Sequence, residues 1–165
     1  MRKVVITLAM LLALGGAQEL AAQVENATAS IEIPELLSIG VTNTSVTFDQ
    51  PAVADWDLGF IGASSGASTV STRGNVTHRV TIEADAATMT YTGSHTDPGK
   101  VAGDLQWDAG SGFAGLTTGG ADVVTGLTPG SHAAAAAVTY QMLLDEAQDV
   151  PGTYSLGFTY TVVAN

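Results

Sequence analysis

The chain has 165 residues, 45% of them hydrophobic and 13% charged, with five Lys and Arg against sixteen Asp and Glu. That apolar share argues against a disordered chain, and a net charge of −11 argues against nucleic acid or an anionic membrane surface as partner, since both are held by excess Lys and Arg. Without cysteine, thiol catalysis, thiolate metal ligation and disulfide bracing are excluded, so the fold must rest on its core or on association.

Met1-Arg2-Lys3 and the apolar run from Val4 to Leu14 have the form of a secretory signal peptide: a basic start, then a stretch too short to span a bilayer, with no stop-transfer pattern after it. Cleavage is expected after Ala17 or Ala22, and Ala22 is preferred because a β-like pattern begins soon afterwards. This predicts a leader at 1–22, export to the periplasm, cell surface or exterior, and no membrane insertion once the leader is removed. The expected domain, 23–165, has a length suited to one core. It retains Arg73, Arg79 and Lys100 against fifteen acids, since the leader holds Arg2, Lys3 and Glu19.

In chain order, residues 27–33 alternate well enough for a first strand, stopped by Pro34. Residues 36–41 and 45–48 read as short strands with Asn43 as the turn between them. Residues 49–66, with Pro51 and several glycines, read as a surface connection partly anchored by Trp56 and Phe60. Residues 68–73 and 76–84 read as a hairpin joined by Gly74-Asn75, with Val76, His78, Val80, Ile82 and Ala84 on the buried face. Residues 89–92 form a strand ending at Gly93, and Asp97-Pro98-Gly99 is a turn. From 101 to 130, Leu105, Trp107, Phe113, Leu116, Val123, Val124 and Leu127 among eight glycines have the rhythm of short strands.

The clearest pattern lies at 133–165. Ala133 to Ala147 contains good helix formers, but Val138, Tyr140, Met142 and Leu144 share one parity and Val138-Thr139-Tyr140 are β-formers, which favours a strand. Tyr154, Leu156, Phe158, Tyr160 and Val162 alternate in the same way. With the acidic connection 145–152 between them, the two runs are expected to form a closing antiparallel hairpin. The expected architecture is all-β: a single antiparallel β-sandwich, immunoglobulin-like or pilin-like, following the signal peptide.

The combination of Val138-Thr139-Tyr140-Gln141-Met142 with Pro151-Gly152-Thr153-Tyr154 and the Thr-rich run 155–162 resembles the closing hairpin of bacterial extracellular domains of the spore-coat-U/fimbrial and WxL types. The likeness covers about the last thirty residues. It departs from fimbrial subunits in having no cysteine. It also departs from WxL domains in placing Trp56-Asp57-Leu58 in a loop-like context. The resemblance implies a structural or adhesive role at the cell surface and carries over no functional residue.

Candidate chemistry is sparse. Gly62-Ala63-Ser64-Ser65-Gly66 matches the Gly-x-Ser-x-Gly string of serine hydrolases, but the chain continues as β where the nucleophile elbow needs a helix, so a Ser-Gly loop is the expected reading. His78, His95 and His132 lack the spacing that sets two imidazoles on one metal, and His78 falls on a buried parity. The acidic groups Asp55-x-Asp57, Asp104-x-x-x-Asp108 and Asp145-Glu146-x-x-Asp149 could offer oxygens to calcium, yet none completes an EF-hand, and solvated acidic loops are the simpler reading. Trp56, Trp107, Tyr91 and Phe113 are expected in the core rather than on a sugar platform. Asn26, Asn43 and Asn75 begin glycosylation sequons, which arise by chance in a Thr-rich chain.

No catalytic, cofactor or metal residue is therefore assigned. The expected function is that of an exported, non-catalytic surface, coat or fimbria-like subunit that associates through sheet edges with itself or with other surface proteins. A carbohydrate- or calcium-binding module is the alternative, with a hydrolase centred on Ser64 as the weakest reading.

Overall fold

Alternation of buried and open positions underlies the antiparallel strands that dominate the regular structure. The computed structural model describes residues 28–165, so the expected leader at 1–22 and the start of the first expected strand lie outside the described residues. Pro34–Asn165 forms one compact unit, and the described residues 28–33 belong to another.

The strands are β1 (Leu37–Val41), β2 (Phe60–Gly62), β3 (Ser68–Gly74), β4 (His78–Ala84), β5 (Thr90–Thr92), β6 (Leu105–Asp108), β7 (Ala114–Gly115), β8 (Ala121–Leu127), β9 (Gly130–Leu143), β10 (Thr153–Ser155) and β11 (Phe158–Ala164). A short helix, α1 (Val53–Leu58), and a 3-10 turn (Ala102–Asp104) complete the described elements. One sheet runs β1-β3-β9-β6-β7, with β2 also paired to β9. A second runs β11-β4-β8, and β10 pairs with β5 as a two-stranded ribbon.

Both larger sheets feed one core. Val70 from β3 and Val138 and Tyr140 from β9 cluster with Val80 and Ile82 from β4 and Val123 from β8. Each fully buried aliphatic side chain contributes about 1.5–3 kcal/mol relative to exposure, which makes this cluster the main source of stability. As expected, 130–143 is a strand and not a helix. Its Ala-rich run absorbs an irregularity: between the pairs Val70–Ala136 and Thr72–His132, β9 holds two residues more than β3. Small side chains allow such a bulge without a clash.

Where strands form at 37–41, 68–74, 78–84 and 130–143 they fall within or close to the stretches that parity marks, but their partners differ from expectation. β3 and β4 do not form a hairpin, since β3 pairs with β1 and β9 while β4 pairs with β11 and β8. The connection at Gly74-Asn75 is an arch that carries the chain from one sheet to the other. The backbone explains why: a two-residue hairpin of this composition needs positive φ at the turn, and neither Gly74 nor Asn75 is among the positive-φ residues. Gly74 instead serves close packing, because a Cβ there would lie 2.9 Å from Leu37 Cδ2 and 3.1 Å from His78 Nδ1.

The expected closing hairpin is likewise an arch. β9 lies in the first sheet and β11 pairs with β4 in the second, so the two runs face each other across the core instead of sharing a ladder. Residues 28–36 hold no strand, which overturns the strand expected at 27–33, and 45–48 is irregular, although Asn43 does turn the chain at φ 52. The connection 49–66 contains α1 and β2, so Trp56-Asp57-Leu58 lies on a helix; Trp56 is half-buried while Phe60 is exposed. Phe113, expected among the apolar core residues, is 45% exposed.

A buried hydroxyl chain joins the two sheets. Ser68 Oγ donates to the carbonyl of Asn43 at 2.9 Å, and the Tyr140 hydroxyl donates to Ser68 Oγ at 3.2 Å. Tyr140 is thereby committed as a donor, so the close contact between the Tyr140 and Tyr160 hydroxyls has Tyr160 donating. Burial first, and then this hydrogen bond, push the Tyr160 hydroxyl far above the usual phenol range. Tyr140→Phe would strand the Tyr160 hydroxyl, whereas Tyr160→Phe leaves Tyr140 its bond to Ser68. Urea unfolding should show Tyr140→Phe costing about 1–3 kcal/mol and Tyr160→Phe distinctly less; equal costs would show that the chain is not directional.

Candidate functional site

A cleft of about 550 Å³ lies beside α1 and β10. Asp55 Oδ2 accepts the Ala52 N–H at 2.7 Å to start α1, and Gly59 at φ 75 ends it, which sets Trp56 in the cleft wall. Phe48 and Pro51 come from the preceding connection, Ile61 from β2, Met142 from β9 and Tyr154 from β10. Tyr154 is fixed at both ends. Its hydroxyl donates to the Val150 carbonyl at 2.8 Å and accepts the Val150 N–H at 3.0 Å, while its ring lies 5.3 Å from that of Tyr91.

Tyr91 is held in turn by its hydroxyl, which donates to the Pro151 carbonyl at 2.8 Å. Its ring lies so close to Gly152 that any Cβ there would overlap it. The glycine of the Pro151-Gly152 pair is thus required by an aromatic neighbour, since its φ is not positive.

An ion pair separates this cleft from a second one of about 360 Å³. Lys100 Nζ donates to Asp149 Oδ1 at 2.8 Å and Oδ2 at 2.7 Å, and Asp104 Oδ2 stands 3.6 Å from the same nitrogen. The Lys100 and Asp149 side chains are 5% and 9% exposed, Asp104 28%. The Tyr154 ring centroid lies 5.9 Å from Nζ, close enough for a cation–π contribution. Removing one member of so buried a pair leaves the other charge uncompensated and typically costs 3–5 kcal/mol, roughly.

The residues singled out in the sequence disperse. Ser64 lies between β2 and β3, with its N–H and Oγ both donating to the Thr47 carbonyl, at 2.8 and 3.2 Å. A strand follows it, so the strand-turn-helix elbow of a serine hydrolase is not formed. His78 is fully buried. Its Nδ1 must carry the proton, because its partner there is the Val76 carbonyl at 2.9 Å, and Nε2 meets Thr72 Oγ1 at 3.0 Å. Unexpectedly, His132 reaches His78, with ring centroids 5.7 Å apart. Sequence spacing hid this because the pairing of Thr72 with His132 across β3 and β9 brings them together. Among the described residues no three His, Asp or Glu side chains group to hold a metal.

The acidic loops are largely occupied by their own backbone and by Lys100. Asp145 caps its turn through the Ala147 N–H at 2.8 Å, and Asp149 is taken by Lys100. Asp122 meets Arg79 at 3.6 Å, a pair too exposed to stabilise much. The four aromatics considered together do not share a surface: Trp107 is core at 7% exposure and Phe113 is open to solvent, while Trp56 shares its cleft with Phe48 and Tyr154. The Asn43 and Asn75 side-chain amides donate to the carbonyls of Ala67 and Pro34, each at 2.8 Å, and Asn26 lies outside the described residues.

Asp108 shows best how a loop acid is used. Its Oδ1 accepts the N–H groups of Gly110, Ser111 and Gly112 at 2.7–2.8 Å. The Gly110 bond first, opposed by desolvation and aided by Gly112 and Ser111, holds its carboxyl below the ordinary 3.8. A lowered carboxyl stabilises the folded loop above its unfolded value and loses that contribution as pH falls through the lowered one. In an NMR acid titration, the amides of Gly110, Ser111 and Gly112 should therefore shift together at a pH below 3.8; movement at the ordinary carboxylate pH would contradict the arrangement. No protein-family model matches the chain, and no curated protein matches it.

Proposed function

We propose that the protein is an exported, non-catalytic structural or adhesive subunit of a cell-surface or extracellular assembly, and that its unit Pro34–Asn165 is a single β-sandwich of immunoglobulin-like or pilin-like type that associates through sheet edges. The observation that carries this reading is the stretch just before β1. Residues 28–36 hold no strand, and within them Ile31 is 83% and Ile33 72% exposed, alternating with Glu32. Two large aliphatic side chains at strand spacing, left in solvent, are suited to a sheet edge in another molecule. Ladder bonds leave one side of β11, paired with β4, and of β1, paired with β3, without a strand partner among the described residues, although the two strands also approach each other. The resemblance of the closing segment to spore-coat-U/fimbrial and WxL-type domains points the same way.

Size-exclusion chromatography and negative-stain imaging of residues 23–165 should show multimers or filaments, and deletion of 23–33 should reduce them to monomers. A chain that stays monomeric throughout, or one that assembles equally well after the deletion, contradicts the proposal.

One observation favours a second reading, a polysaccharide-binding module. Trp56, Phe48 and Tyr154 line a single cleft with Asp49 and Gln50 at its margin, which combines apolar ring faces with hydrogen-bonding groups. On that reading a soluble oligosaccharide changes tryptophan fluorescence, and Trp56→Ala abolishes the change while leaving the circular dichroism spectrum intact. A full response retained in Trp56→Ala would remove the cleft from consideration. The calcium alternative is weakened, because Asp108 and Asp149 already spend oxygens on three backbone N–H groups and on Lys100.

A further inference from the structure

We propose that Lys100 and Asp149 are the two halves of an intramolecular amide cross-link, formed after folding, with Asp104 carrying the proton. This goes beyond the edge-association reading and holds whether or not the protein assembles.

The geometry places every reactant in one site. An amine lies 2.7–2.8 Å from both oxygens of one carboxylate, and a second carboxylate lies 3.6 Å from the same nitrogen. Of the three strong bases at 23–165, Lys100 is the buried one; Arg73 is exposed and Arg79 half-buried. Two carboxylates against one ammonium leave a net negative charge in a poorly solvated place, an arrangement a fold does not need for an ordinary ion pair.

Condensation relieves this. In water, amide formation from a separated amine and carboxylate is opposed by the hydration of both ions. With side chains 5% and 9% exposed, that hydration has largely been lost on folding, and the reactants are held in contact.

The step balances without a co-reactant. Lys100 Nζ passes a proton to the Asp104 carboxylate, and its freed lone pair attacks Cγ of Asp149. The new C–N bond forms while one C–O bond of Asp149 breaks. The departing oxygen leaves as water with two protons, both originally on Nζ, one of them returned by Asp104. Asp104 is regenerated, one ammonium and one carboxylate become a neutral amide, and nothing is oxidised or reduced. The clefts on either side of the pair give the water a way out.

The placement also suits a cross-link. Lys100 follows the turn after β5, with its carbonyl accepting the Met89 N–H at 2.8 Å, while Asp149 lies in the crossing from β9 to β10. The bond would join positions separated by 49 in sequence, in a chain with no cysteine to make a comparable link.

The test is intact-mass measurement on the folded, purified protein, with Lys100→Arg as the internal reference because arginine keeps the charge but cannot form this amide. The protein should be lighter than its sequence requires by one water, and the variant should not. Trypsin should fail to cut after Lys100, and peptide mapping should recover Lys100 and Asp149 in one linked species that survives denaturant. Asp104→Asn keeps both reactants and should lower the linked fraction at least several-fold at matched times after synthesis, which covers the case where Lys100→Arg fails to fold. Full sequence mass with normal cleavage after Lys100 overturns the proposal, as does a missing water with Lys100 still cleaved. An unchanged linked fraction in Asp104→Asn overturns the role of Asp104.

Discussion

The two sheets are held in fixed alignment by a polar contact that passes through an apolar interior. Tyr160 on β11 donates to Tyr140 on β9, Tyr140 to Ser68 on β3, and Ser68 to the carbonyl of Asn43 at the turn after β1. Hydrophobic packing alone is tolerant of small sliding between faces, because burial is non-directional. A hydrogen-bonded chain is not, since a slip of one residue would leave buried hydroxyls unpaired at a cost of about 1–3 kcal/mol each. Its direction is imposed from one end by the Asn43 carbonyl, which can only accept. His78 repeats the device toward the other end of β3, with one ring nitrogen on the Val76 carbonyl and the other on Thr72.

This alignment matters because the chain crosses between sheets where a simpler fold would turn back on itself. The arch at Gly74-Asn75 and the crossing from β9 through β10 to β11 place strands near in sequence on opposite sides of the core. Neither pair is then fixed by shared ladder bonds, so their relative position depends on side chains. Gly74 allows His78 and Leu37 to close over the first arch. The second is stabilised by Tyr154, Tyr91 and the Lys100–Asp149 pair around the β9-to-β10 connection. Without disulfides, such contacts are what brace the crossings.

Parity was the part of the fold that the sequence made visible. The alternation at 78–84, 138–143 and 158–162 identified strands and their buried faces, because a period of two maps directly onto a pleated strand with one wet side. The run expected from Tyr154, by contrast, breaks at Leu156-Gly157 into β10 and β11, which lie in different sheets. It did not identify partners, since alternation says which side of a strand is dry and nothing about which strand lies beside it. Hairpin and arch also share a composition, as Gly-Asn suits both, and they differ in the sign of φ. At 28–33 the alternation was present but no strand formed, so pattern alone was not sufficient. The cleft was even less legible. Phe48, Trp56, Lys100 and Tyr154 meet only through the topology, and nothing in their spacing marks them as neighbours. The acidic groups were visible as clusters, yet their roles came from partners that no spacing rule includes, above all Lys100, 49 positions from Asp149.

The charge balance constrains how such a protein can associate. At 23–165 there are fifteen acids and three strong bases, and two of the bases are engaged, Lys100 by Asp149 and Arg79 by Asp122. Two copies therefore repel at long range, and at physiological salt that repulsion is screened beyond about 8 Å. Complementary charge is then a poor source of attraction between copies. What remains acts at contact distance: unpaired backbone N–H and C=O groups along an edge strand, and aliphatic side chains such as Ile31 and Ile33 that gain by leaving water. On the proposed edge association, the net negative charge would keep copies apart until a strand is offered in register, because only then would backbone bonds and apolar burial together outweigh the repulsion. The composition of β11 fits this arrangement, since it is free of Asp, Glu, Lys and Arg along its whole length.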